Sequence, residues 1–126
     1  MKKSSPFSLK ERLQSFIPAF NGIKLLFQNE HNSWVHLFCM VVSITIGIVV
    51  QLTSMEWLFL SLAIALVFFA ELFNTAIERL ADKVEPNFDP TIGAVKDYAS
   101  AAVLIASIFA VIVGIVLFAP KLIAYL

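Results

Sequence analysis

Apolar positions along this chain fall into four stretches, and their spacing sets the elements. In residues 8–29, Leu9, Leu13, Phe16, Ile17, Phe20, Ile23 and Phe27 recur at helical spacing while Lys10, Arg12, Gln14 and Asn21 fall elsewhere. That pattern predicts an amphipathic helix lying in a membrane interface. Ser8 with Glu11 three residues on has the form of a capping box that starts it, and Pro18 should kink or divide it. Residues 34–52 are apolar almost throughout and long enough to cross a hydrocarbon core of about 30 Å. A short polar turn, Gln51 to Glu56, leads to a second span from Trp57, whose apolar pattern continues past Thr75 through Leu80 and Val84 until Pro86. Asp89-Pro90 reads as an N-cap followed by proline at the first helical position, so a third helix starts there and spans again from Tyr98 to Phe118, with Pro120-Lys121 marking its end. Its Ala99, Ala101, Ala102, Ala106, Ser107, Ala110 and Gly114 permit close helix approach in lipid. The predicted fold is therefore an all-α membrane protein: an amphipathic interfacial helix (8–29) and three transmembrane helices (34–52, 57–84 with an extension beyond the bilayer, and 90–118).

Composition agrees with that reading. Of 126 residues 60% are hydrophobic and 14% charged, which is far more apolar than a soluble domain of this size needs. The length allows one domain. A single cysteine, Cys39, excludes an internal disulfide and any CxxC metal motif. The first thirty residues mix charges with apolar side chains and offer no continuous h-region, so no cleaved signal is expected. Nine basic residues balance nine acidic ones, and no nucleic-acid partner is expected. The distribution of charge says more than the sum. Lys2, Lys3, Lys10, Arg12 and Lys24 precede the first span, Arg79, Lys83 and Lys96 lie between the second and third, and the turn between the first and second has no basic residue. The positive-inside rule then puts the N-terminus and residues 79–97 in the cytoplasm and the C-terminus outside.

One stretch breaks the apolar rule. Glu71, Asn74, Glu78 and Asp82 stand at helical steps of three, four and four, with Thr75 beside them, and so form one polar stripe on the second spanning helix. Such groups are expensive against lipid and belong in a protein interior or a wet cavity. The topology gathers this stripe, Glu30 and Lys96-Asp97-Tyr98 at one face. Carboxylates, an amide and a lysine suit a hard divalent cation such as Mg²⁺ together with phosphates, and disfavour zinc. The N-terminus of the third helix, with Gly93 in its first turn, favours an anion nearby. No GxxxxGK[ST] loop and no GxGxxG occurs, which excludes the soluble nucleotide-binding folds that use them. Two classes remain open on these grounds: a phosphate-handling membrane enzyme, and a non-catalytic membrane assembly or small transporter. His31 and His36 read as headgroup or helix-pairing contacts, and Trp34 and Trp57 as interface anchors.

Glu71-Leu-Phe-Asn-Thr-Ala-Ile-Glu78 with Asp82, followed by Lys96-Asp97-Tyr-Ala-Ser-Ala-Ala-Val103, resembles the signature of the small bacterial membrane lipid kinases, the prokaryotic diacylglycerol kinase and undecaprenol kinase family. The resemblance implies transfer of the γ-phosphoryl group of ATP to a membrane lipid hydroxyl, in a homotrimer of the bacterial inner membrane with active sites between subunits. It implies that Glu30 and Glu78 hold Mg²⁺, that Lys96 neutralises phosphate charge, and that Asn74, Asp82 and Asp97 position the nucleotide. Glu71 would be the general base toward the lipid hydroxyl. Asn29 to Asn32 through His36, Glu56-Trp57 and Leu117 to Leu122 look more like the undecaprenol kinase branch, whereas Ser100-Ala-Ala-Val103 looks like the diacylglycerol kinase branch. Undecaprenol is the acceptor favoured, with diacylglycerol as the alternative.

Overall fold

A computed structural model describes residues 6–126; Lys2 and Lys3, which entered the charge count above, lie outside them. Every element among the described residues is helical: α1 (Leu9–Gln14), α2 (Phe16–Asn29), α3 (His31–Val49), α4 (Ser54–Val84) and α5 (Pro90–Ala124). α3, α4 and α5 are each long and apolar enough to cross a membrane. At about 1.5 Å per residue the 31 residues of α4 extend about 46 Å and the 35 of α5 about 52 Å, so both outrun a hydrocarbon core of about 30 Å. Most of their large apolar side chains, among them Phe38, Phe59, Phe69, Ile105 and Ile112, are exposed, as lipid-facing positions must be.

Side-chain caps explain where the helices begin. The Ser8 hydroxyl accepts from Glu11 N–H at 3.4 Å, and Asp89 Oδ1 accepts from Thr91 and Ile92 N–H at 2.8 and 2.9 Å ahead of Pro90. Thr53 and Glu56 complete a reciprocal capping box at the start of α4. The single amphipathic helix expected over 8–29 is divided at Ser15, three residues before Pro18. Proline has no N–H for the carbonyl of Gln14, so the chain restarts with Pro18 in the first turn of α2, where a missing donor does no harm.

α4 and α5 are antiparallel neighbours along their length. Leu60 and Ala63 meet Val113 and Leu117 near one end, and Val67 and Ala70 meet Ala106 further along. Lys121 Nζ reaches Glu56 Oε2 at 3.2 Å at the first end, and Lys96 pairs with Asp82 at the other. Buried alanines at 63, 70, 81, 99 and 106 let the two backbones approach closely.

The corner between α3 and α4 is a Schellman turn: Leu52 N–H donates to the Gly47 carbonyl at 3.0 Å and Gln51 N–H to that of Ile48 at 3.2 Å. It ends α3 at Val49, before the limit of the apolar run, and requires a left-handed residue, here Gln51 at φ 55°. Gly47 gives α4 its close approach, because a Cβ there would stand 2.9 Å from both Leu52 Cδ1 and Trp57 Cη2. Trp57 is thus half-buried in a packing role at this corner.

One expected boundary is corrected. α5 does not end at Pro120 but runs through it to Ala124. Proline removes one helical hydrogen bond, yet Lys121 ties the turn beyond it to Glu56, and Leu122 and Ile123 continue the apolar sequence.

Candidate active site

An unbroken α4 carries the polar stripe, and packing grades it by exposure. Glu71 is buried, with 4% of its surface exposed. Asn74, Thr75 and Glu78 are half-buried, and Asp82 is exposed. The Lys96 ammonium from the first turns of α5 lies against the Asp82 carboxylate, so one basic and one acidic group expected at the site do meet. Asn74 Oδ1 and Thr75 Oγ1 are buried and have no hydrogen-bond partner among the described residues. Buried polar atoms are almost always satisfied, which sets these two, one turn from Glu71, apart from the rest of α4.

Glu30 sits at the α2–α3 corner, and side chains fix that corner. Asn29 Nδ2 donates to the Leu25 carbonyl at 2.8 Å, and Trp34 Nε1 to that of Phe27 at 2.8 Å. The fully buried Ser33 hydroxyl lies between, 3.4 Å from the Leu26 carbonyl and 2.5 Å from that of Glu30. The Phe27 carbonyl, which the end of α2 leaves free, is thus capped by Trp34, while Asn29 and Ser33 add second bonds to carbonyls that already accept backbone N–H groups. Glu30 is half-buried there, in an extended conformation between two helices. Phe27 packs on Phe68 of α4, ring centroids 6.0 Å apart, which seats the corner against the stripe. Trp34, expected as an interface anchor, also has this specific capping bond.

His36 supplies the contact that sequence reasoning did not assign. Its Nε2 is 2.8 Å from Glu71 Oε1, and its ring stands edge-on to Phe68, centroids 6.4 Å apart. Read as a headgroup or helix-pairing contact, it pairs α3 with α4 through the one buried carboxylate. No local signal marks a partner 35 residues away; only Glu71, a buried acid in need of a donor, hinted that one existed.

Other expected members stay apart. Asp97 is exposed, and neither it nor the Glu30 carboxylate has a side-chain partner among the described residues. Cys39 is exposed and has no disulfide partner. Gly93 has no atom within 4 Å of the space a Cβ would take, so the first turn of α5 is open on that side. No three His, Cys, Asp or Glu side chains converge as a metal cage among the described residues. Separate carboxylates fit magnesium better than an all-protein cage would, since Mg²⁺ is commonly held by one or two carboxylates and completed by phosphates and water.

The described residues thus form an all-helical protein with three candidate membrane spans and a graded acidic stripe facing a lysine. The prokaryotic diacylglycerol kinase family model matches residues 18–118, and the chain belongs to that family of prokaryotic lipid kinases. It is 33% identical over 114 residues to the undecaprenol kinase of Bacillus subtilis, covering 90% of this chain and 93% of that one. It is also 36% identical over 113 residues to a diacylglycerol kinase of Synechocystis, covering 89% of this chain but 65% of that longer protein. Three helices able to span and membership of a membrane lipid kinase family mark it as a bacterial membrane protein.

Proposed function

We propose that the protein transfers the γ-phosphoryl group of ATP to the hydroxyl of a membrane lipid, with undecaprenol favoured over diacylglycerol. The observation that carries this reading is the gradient along α4. A buried carboxylate, Glu71, stands at one end of a stripe whose other end, Asp82 with Lys96, is open to solvent. A water-soluble donor and a lipid acceptor must meet from opposite sides, and such a gradient supplies both environments on one helix face. The choice of acceptor is supported by the Bacillus subtilis relative, an undecaprenol kinase matched over nearly its whole length.

In the mechanism, Glu71 takes the proton from the lipid hydroxyl as that oxygen attacks the γ-phosphorus. The new O–P bond forms, the bond to the bridging β,γ-oxygen breaks, and ADP leaves. Lys96 neutralises phosphate charge beside Asp82, while Asn74, Asp82 and Asp97 position the nucleotide. Glu30 and Glu78 would hold Mg²⁺, which would offset the charge of the nucleotide's phosphates. Alignment and charge neutralisation are most of what phosphoryl transfer requires.

The orphaned Asn74 and Thr75 atoms support a site completed from outside the chain, by the nucleotide or by a neighbouring subunit of the proposed homotrimer. Exposed Leu9, Leu13, Phe16, Ile17 and Phe20 on α1 and α2 support an interfacial position for that segment. The lysine and arginine distribution supports a cytoplasmic N-terminus and site and an external C-terminus.

The test is phosphorylation of undecaprenol and of diacylglycerol in mixed micelles with labelled ATP. Glu71→Gln should lower kcat by about 10²–10⁴ while leaving the helical content and assembly intact, since general-base catalysis contributes that much. Retention of most activity removes Glu71 as the base. If the unmodified protein yields no organic-extractable phosphate from either lipid, the reading falls in favour of a non-catalytic assembly or transporter.

A further inference from the structure

We propose that His36 is the positioning residue of Glu71, a role that rests on Glu71 being the base. Its Nε2–H donates to Oε1 at 2.8 Å and so holds that oxygen, leaving Oε2 as the atom that faces the lipid hydroxyl. The geometry is that of a built contact. His36 is half-buried, Glu71 is buried, and no other side chain bonds the Glu71 carboxylate among the described residues. Phe68, one turn before Glu71 on the same helix, stands edge-on to the imidazole and packs in turn on Phe27 of α2. His36 itself lines an apolar groove of about 380 Å³ between α3, α4 and α5, with Cys39, Ser43 and Ser107. It therefore links Glu71 to that apolar groove.

A carboxylate on an isolated glutamate can rotate about its last side-chain torsion, which is broad, and either oxygen can then turn away from the acceptor. Fixing one oxygen removes that freedom, and a reacting atom held in line gains much of the advantage of an intramolecular reaction. This role asks only for an N–H donor at the right reach and no change of charge on the imidazole. Gln presents its amide nitrogen at nearly the same distance from the backbone as Nε2. Asn is too short, and Leu has no donor.

Those three substitutions make the test, read as kcat and as KM for ATP with the better of the two lipids. His36→Leu and His36→Asn should each lower kcat about tenfold or more with KM for ATP unchanged, because the nucleotide is bound elsewhere on the stripe. His36→Gln should keep kcat within about threefold of the unmodified protein. In the Glu71→Gln background, His36→Leu should lower the residual rate no further, an outcome a merely structural role would not give. If His36→Gln falls as far as His36→Leu, the imidazole acts as something other than a donor and positioning is overturned; if His36→Leu keeps its rate, the contact is idle. Should His36→Leu fail to fold by circular dichroism, His36→Asn, which keeps a polar group at the same site, decides. Failure of the underlying reading looks different, since Glu71→Gln itself would then retain activity.

Discussion

Replacing Gly47 by alanine should destabilise the protein, and the sign is set by the α3–α4 corner. The added Cβ would lie 2.9 Å from Leu52 Cδ1, 2.9 Å from Trp57 Cη2 and 3.3 Å from Trp57 Cζ2. Carbon atoms pack best at about 3.5–4.0 Å, so two neighbours must retreat by about half an ångström or more. Leu52 is held by the Schellman turn, and Trp57, in the first turn of α4, follows the Thr53–Glu56 capping box and donates its N–H to the Thr53 carbonyl, so neither retreat is free. Overpacking of this kind costs about 1–3 kcal/mol, against which alanine gains about 1 kcal/mol over glycine in a helix. Gly22 and Gly114 are the controls: a Cβ at either meets nothing within 4 Å, so alanine there should be neutral or stabilising by up to about 1 kcal/mol. The gap between position 47 and these controls should then be about 1–3 kcal/mol, because the propensity gain is common to all. Unfolding of the detergent-solubilised protein by added sodium dodecyl sulfate, followed by far-ultraviolet circular dichroism, measures it. A cycle with Trp57→Leu assigns the cause, since trimming the indole should abolish most of the penalty of Gly47→Ala. Equal stability of the three alanine variants, or an undiminished penalty in the Trp57→Leu background, would refute the steric account.

Two further outcomes follow from the corners and the stripe. Ser33→Ala should lower stability by about 1 kcal/mol, the net value of a hydroxyl bond whose acceptors keep other partners, and should raise KM for ATP by loosening the turn that carries Glu30; a shift in unfolding with no change in KM would separate the corner from the site. Lys96→Gln should lower kcat/KM for ATP tenfold or more and leave the unfolding midpoint unmoved, because its partner Asp82 is exposed and such pairs add little to stability, whereas a matched fall in midpoint and activity would mean that the pair serves structure.

What could be read in the sequence was whatever depends on neighbours in the chain. The three spans follow from continuous apolar runs, the start of α5 from Asp89-Pro90, and the stripe from the spacing of Glu71, Asn74, Glu78 and Asp82. Pro18 announced a break, although the interruption falls at Ser15, where the missing donor is felt. What could not be read depends on how helices meet. His36 looked like a lone imidazole until packing of α3 on α4 set it against Glu71. Trp34 reads as an interface anchor, and only the turn at Glu30 brings it and Ser33 back onto the end of α2. Pro120 carries a local signal for an ending that the Lys121–Glu56 tie, a long-range contact, overrides.

The unbroken α4 also restricts how the chain can change length. All four polar groups ride on one rigid rod, so a single residue inserted between Ile77 and Glu78 would swing Glu78 and Asp82 about 100° around the axis relative to Glu71. Asp82 would leave Lys96, and the donor and acceptor halves of the stripe would no longer share a face. An added residue should be tolerated better in the linker at residues 85–89, where a loop absorbs the added length without turning either half of the stripe.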